Sequence, residues 1–128
     1  MSEWILDASA LLAYLYRENG ADRVEAALRA DIAMSAVNLS EVIAKLLDAG
    51  WIESTILQSI RLADVAVVEF DEAAAYEAGS LRALTRHRGL SLGDRACLAL
   101  ARRVGAPVLT ADRAWHDLDL GVPIEVIR

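Results

Sequence analysis

Short apolar segments that alternate with helical patterns are the feature that most restricts the fold of this chain. The segments are short and apolar, and all but the last are followed by a turn signal and a helical pattern. Strands separated by helices pair in parallel, and a parallel sheet is buried on both faces. The pattern therefore predicts one α/β domain over residues 1–128, with a mostly parallel sheet and strands at 4–6, 32–34, 65–70, 108–110 and 123–127.

Helix-start and helix-stop signals fill the stretches between these strands. Ser and Asp stand where helices begin, and Gly stands where they end. The third helix, from Ser35 or Ala36 to Ala49, has an apolar stripe that we expect to face the core: Leu39, Val42, Ile43, Leu46 and Leu47. We predict the other helices over 10–16 (with Ser9 as N-cap), 21–30, 52–62, 72–88 and 91–104, and a short helical turn over 112–118.

Composition restricts the class of protein. Hydrophobic residues make up 55% of the 128 residues, which predicts apolar surface left over for a partner or a second copy. No uncharged apolar run approaches the ~18 residues needed to cross a bilayer, and the amino terminus does not resemble a signal peptide. A single cysteine, Cys97, excludes an internal disulfide and a cysteine-based zinc site. We expect a cytoplasmic protein without a membrane span.

The net charge of −6 argues weakly against a protein that binds nucleic acid through a basic surface. A cluster of carboxylates that holds a cation would give the same sign. The basic residues are arginines except Lys45, and arginine suits bidentate contacts to phosphate or carboxylate, although codon bias would produce the same imbalance.

Four acids stand at ends of predicted elements or on helix faces, and each also has a purely structural interpretation. Asp7 follows the first strand and can serve as a turn or capping residue. Glu41 lies four residues before Lys45, the spacing of a surface ion pair. Asp94 can close a capping box, although its position falls on the core-facing arc of its helix. Asp112 can be the N-cap of the following turn.

As a set, the acids favour a site for a divalent cation. Two carboxylates ~4 Å apart repel by about 4 kcal/mol at an effective dielectric near 20, and a cation removes that conflict. Magnesium and manganese prefer oxygen ligands and fit an open carboxylate site. Zinc is less suited, because His87 and His116 are the only histidines and neither has a companion at ligand spacing.

Four segments together resemble the PIN domain, specifically the VapC-type ribonuclease toxins of VapBC toxin–antitoxin pairs. They lie in the family's order along the chain, at residues 6–10, 35–42, 90–96 and 109–113. The resemblance implies a three-layer α/β/α fold around a mostly parallel sheet. It also implies a metal-dependent endoribonuclease that acts on RNA, uses Mg²⁺ or Mn²⁺ and is held in check by a VapB-type antitoxin.

The resemblance also assigns residues. Asp7, Glu41, Asp94 and Asp112 match the family's acidic quartet, and Asp7, Asp94 and Asp112 match metal-ligand positions. The polar residues beside that site are matched by Ser9, Asn38 and Thr110. Gly93 is a mild departure, since relatives often have alanine there.

The sequence also gives expectations about binding partners. Arg82 and Arg86 are candidates for phosphate contacts, with solvated helix-end charges as the alternative. The resemblance implies a homodimer and a groove for an amphipathic antitoxin segment.

A phosphotransfer receiver domain would need adjacent acids after the first strand and a late lysine, and the chain has neither. A PIN-fold module that binds RNA or protein without cleaving stays open.

Overall fold

The computed structural model of the protein describes residues 2–128. Five strands alternate with six helices, as the sequence predicts. The strands are β1 (Trp4–Leu6), β2 (Ile32–Ser35), β3 (Ala66–Val68), β4 (Val108–Thr110) and β5 (Ile124–Val126). The helices are α1 (Ala8–Tyr16), α2 (Ala21–Ala27), α3 (Ala36–Asp48), α4 (Glu53–Ala63), α5 (Glu72–Thr85) and α6 (Leu92–Val104), with 3₁₀ turns at Arg86–Arg88 and Arg113–Trp115.

The five strands form one parallel sheet in the order β3-β2-β1-β4-β5. The chain starts in the middle at β1, moves outwards through β2 and β3, and then returns to the other side of β1 to place β4 and β5. The order therefore reverses between β1 and β4, where Ile5 pairs with Val108 and Leu6 with Leu109. In open α/β sheets the crevice beyond the carboxyl ends of two such strands is the usual ligand site.

Apolar clusters cover both faces of the sheet. Ile5 and Val108 belong to the cluster formed with α5 and α6, while Leu6 and Leu109 belong to the cluster formed with α1 to α4. Adjacent residues of a strand point to opposite faces, so β1 and β4 each contribute to both clusters. This arrangement confirms the mostly parallel sheet flanked by helices that the sequence predicts.

Several element ends differ from the predictions. Helix α1 begins at Ala8 and is capped by Asp7, so the prediction of Ser9 as its N-cap is wrong. Leu47 was predicted to face the core but is 47% exposed, because the buried face of α3 is narrower than the apolar stripe. Helix α2 ends at Ala27, and the chain after α5 tightens into a 3₁₀ turn. In the described part of the chain, no helix is long and apolar enough to span a membrane.

Candidate functional site

Asp7 lies at the centre of a polar network at the carboxyl edge of the sheet. It directly follows β1, and its Oδ1 accepts a hydrogen bond of 2.9 Å from the backbone N–H of Ala10, which caps α1. Its Oδ2 accepts from the hydroxyl of Thr110 at 2.6 Å, and the Ser9 hydroxyl donates to the same carboxylate at 2.8 Å. Two neighbouring strands therefore orient one carboxylate, which is only 4% exposed.

Burial changes the acidity of this carboxyl group. Desolvation raises the pKa of Asp7 from 3.8 to about 6, and the negative charge of Asp94 adds a smaller increase. Hydrogen bonds from Thr110, Ala10 and Ser9 act in the opposite direction, because they stabilise the ionised form. The fold thus buries a carboxyl group away from water and surrounds it with hydrogen-bond donors that stabilise its ionised form.

The same network reaches the segment that carries Asp112. The backbone N–H of Ala111 donates to Ser9 Oγ at 2.9 Å, and the N–H of Asp112 donates to Thr110 Oγ1 at 3.0 Å. The side chain of Asp112 is exposed and accepts from the N–H of Ala114 at 3.0 Å, which confirms its N-cap interpretation. Ser9 and Thr110 therefore link the ends of β1 and β4.

Glu41 is held by an amide and not by the predicted lysine. Asn38, which is 1% exposed, donates from Nδ2 to Glu41 Oε1 and to the carbonyl oxygen of Gly93, both at 3.0 Å. In the part of the chain that the structure describes, Glu41 forms no ion pair with Lys45, so the surface-pair interpretation does not apply. Asn38 thereby connects α3 to the first turn of α6.

Asp94 closes the capping box at the start of α6. Its Oδ2 accepts from the backbone N–H of Ser91 at 3.0 Å, and its own N–H donates to Ser91 Oγ at 3.1 Å. The structural interpretation of Asp94 is therefore confirmed. Its negative charge also adds a small increase to the pKa of Asp7.

Three of the four acids share one neighbourhood around a buried thiol. Burial raises the pKa of Cys97 well above its usual range, and three negative charges raise it further: Asp7, Asp94 and Glu41. Nevertheless, no group of three or more His, Cys, Asp or Glu side chains within residues 2–128 is arranged to hold a metal ion. The assignment of Asp7, Asp94 and Asp112 as metal ligands stays a prediction.

The chemistry of the donor set fits a hard divalent cation. The polar atoms around the site are carboxylate, hydroxyl and amide oxygens, which are the ligands that Mg²⁺ and Mn²⁺ prefer. Asn38 Oδ1 is buried and has no hydrogen-bond partner among the described residues. A buried acceptor without a partner next to Glu41 fits a site that binds a polar ligand.

The arginines between residues 82 and 88 divide into two groups. Arg82 and Arg86 are exposed and form no ion pair within the described residues, so they stay candidates for phosphate contacts. Arg88 instead donates to Asp117 Oδ1 at 2.8 Å and to the carbonyl oxygen of Ala114. It joins the segment before α6 to the turn after Asp112, a link that the sequence did not reveal.

A family comparison identifies the fold. The model of the PIN domain matches residues 4–120. The chain belongs to the PIN domain family. A search among curated proteins gives no match.

Solved structures of VapBC proteins and of a toxin–antitoxin complex are similar over nearly the full chain. A DNA-bound VapBC from Salmonella typhimurium has a TM-score of 0.75 at 19% identity and covers 100% of both chains. VapBC-5 from Mycobacterium tuberculosis, a member of the VapBC toxin–antitoxin family, has a TM-score of 0.64 at 25% identity, with 98% of each chain covered. A toxin–antitoxin complex from Klebsiella pneumoniae has a TM-score of 0.75 at 16% identity, with 97% of each chain covered.

Proposed function

We propose that this PIN domain is a VapC-type endoribonuclease that requires Mg²⁺ or Mn²⁺ and serves as the toxin of a toxin–antitoxin pair. The observation that carries the proposal is the buried Asp7 carboxylate, which accepts hydrogen bonds from Ser9 and Thr110 at the switch point of a PIN fold. Similar structures with VapBC in their names support the toxin assignment.

In this proposal Asp7, Asp94 and Asp112 hold the cation. When bound, the cation supplies Lewis acidity: it lowers the pKa of a coordinated water and neutralises charge on the phosphate. Ser9 and Thr110 keep Asp7 oriented and ionised, because both hydroxyls donate to its carboxylate.

Glu41 has the second role in this proposal. Its carboxylate orients the attacking water or accepts its proton, and the amide of Asn38 fixes one of its oxygens. Attack of water on phosphorus leaves a 5′-phosphate and a 3′-hydroxyl. An internal attack by the ribose 2′-hydroxyl would instead leave a 2′,3′-cyclic phosphate.

The test is cleavage of a mixed RNA substrate with Mg²⁺ and with chelator, followed by analysis of the new ends. We expect cleavage only with the cation, 5′-phosphate products, and loss of cleavage in Asp94→Asn. The matched control is Asp48→Asn, which removes an exposed carboxylate at the last residue of α3. This variant should cleave RNA at the rate of the unsubstituted chain. Cyclic phosphate ends would reject the mechanism, and RNA binding without cleavage would favour the non-cleaving module.

The partner assignments are part of the same proposal. Exposed apolar side chains on α5, on α4 and at its N-cap leave surface for an antitoxin and for a second copy of the chain: Ile52, Leu57, Leu62, Tyr76 and Leu84. We expect a homodimer in the cytoplasm, inhibited by an antitoxin encoded next to it. Light scattering of the purified chain tests the dimer, and co-expression with the neighbouring reading frame tests the inhibition.

A further inference from the structure

Gly93 occupies the second position of α6, and its missing side chain leaves room for a carboxylate. A Cβ atom built at this position would lie 2.3 Å from Glu41 Oε1 and 2.5 Å from Oε2. Real Cβ atoms essentially never approach another heavy atom more closely than 3.0 Å. The Glu41 carboxylate therefore rests directly on the backbone of α6, one residue before Asp94.

Asn38 fixes this contact from the other side. One amide nitrogen donates both to Glu41 Oε1 and to the carbonyl oxygen of Gly93, and the side chain is 1% exposed. The orientation of the amide is determined by these two acceptors, since the flipped amide would place oxygen against oxygen. The carboxylate is thus confined between the amide and the glycine.

Backbone conformation does not explain the glycine. Gly93 has no positive φ, unlike five other glycines of the described chain. Glycine in the body of a helix is less favourable than alanine because it loses more freedom on folding. Gly79 in α5 shows the contrast, because a Cβ there meets nothing within 4 Å. At position 93 the three nearest atoms that a Cβ would meet all belong to Glu41.

We propose that Gly93 is a positioning residue: by lacking a side chain, it seats the Glu41 carboxylate beside Asp94. This inference rests on the proposed nuclease function, in which both acids act on the same cation and water. Relatives often have alanine at this position, so the inference concerns the seating of Glu41 in this chain. Here alanine would displace the flexible end of the Glu41 side chain and would leave the helix in place. The substitution should therefore change the site more than the fold.

The test compares Gly93→Ala with the matched control Gly79→Ala in the full chain. Mn²⁺ affinity is measured by calorimetry, RNA cleavage by initial rates, and metal-free stability by urea unfolding. We expect Gly93→Ala to lose about 10- to 100-fold in Mn²⁺ affinity or cleavage rate, as for displaced supporting groups of metal sites. Gly79→Ala should bind Mn²⁺ and cleave like the unsubstituted chain.

Both glycine substitutions are then repeated in a Glu41→Ala background. There Gly93→Ala should cause no further loss of Mn²⁺ affinity or cleavage, because the displaced group is already absent. The metal-free chain should gain more stability from Gly93→Ala in this background than in the presence of Glu41, since the clash is gone. Equal effects of Gly93→Ala in both backgrounds would overturn the inference.

Failure of the inference and failure of the proposed function have different results. If the unsubstituted chain cleaves RNA and the cleavage rate of Gly93→Ala lies within twofold of that rate, Gly93 has no positioning role, and the proposed nuclease function is kept. If the unsubstituted chain neither binds Mn²⁺ nor cleaves RNA, the proposed nuclease function is rejected, and the positioning role of Gly93 is rejected with it.

Discussion

Replacing Asp7 with asparagine should make the metal-free protein more stable at neutral pH. The carboxylate is buried, and its pKa of about 6 lies above the ordinary value of 3.8. Between these two values the folded chain binds more protons than the unfolded chain, so stability falls as pH rises through this window. Above pH 6 the full cost of the buried charge is present, and asparagine does not incur it.

The size of the effect follows from the same shift. Each pKa unit corresponds to about 1.4 kcal/mol, so the buried charge costs about 3 kcal/mol at pH 7.5. Asparagine keeps an acceptor for the N–H of Ala10, but the hydroxyl of Thr110 loses its carboxylate acceptor. That loss costs about 1 kcal/mol. We therefore expect a net gain of about 2 kcal/mol for Asp7→Asn.

The assay is urea unfolding in chelator at pH 4.5 and pH 7.5, with the exposed Asp48→Asn as the control for a lost charge. The free energy of unfolding of Asp7→Asn should exceed that of the unsubstituted chain at pH 7.5, and the difference should shrink or reverse at pH 4.5. Added Mg²⁺ at pH 7.5 should stabilise the unsubstituted chain more than the variant. A difference that is the same at both pH values would refute the reasoning.

Three further substitutions test the structural assignments. Gly20→Ala should lower the free energy of unfolding by about 3 kcal/mol, because φ is +95° and a Cβ would lie 2.6 Å from Ile127 Cγ1; a change below 1 kcal/mol in urea unfolding would contradict this. Arg88→Ala should lower the free energy of unfolding by about 1 kcal/mol. It should also return the lowered pKa of Asp117 towards its ordinary value, as NMR titration would show. Asp71→Ala should lower the free energy of unfolding by about 1 kcal/mol, since Asp71 Oδ1 caps α5. An unchanged urea midpoint would show that this cap does not stabilise the fold.

The fold was predictable because its determinants are local. The apolar strands, the helix caps Asp71 and Ser91 and the stop at Gly105 can be read over a few neighbouring residues. The cap of α1 was misassigned because Asp7 and Ser9 are both good capping residues. Only the three-dimensional arrangement shows that Ser9 donates to Asp7.

The sequence could nominate residues for the candidate site but could not predict their contacts. A resemblance to PIN toxins pointed to four acids and three polar residues. The structure shows hydrogen bonds from Ser9 and Thr110 to Asp7 and from Asn38 to Glu41, and the role of these residues in a cation site stays a prediction. The contact between Glu41 and Gly93 joins residues 52 positions apart in sequence, which no helical spacing can reveal. The link from Arg88 to Asp117 was missed for the same reason.

The most direct test of this account is a calorimetric titration of Mn²⁺ into the full chain and into Asp94→Asn at pH 7.5. The account predicts that the unsubstituted chain binds Mn²⁺ and that the variant binds it at least tenfold more weakly, because it loses one ligand charge. Equal affinities, or no binding by the unsubstituted chain, would contradict the claim that these acids form a cation site.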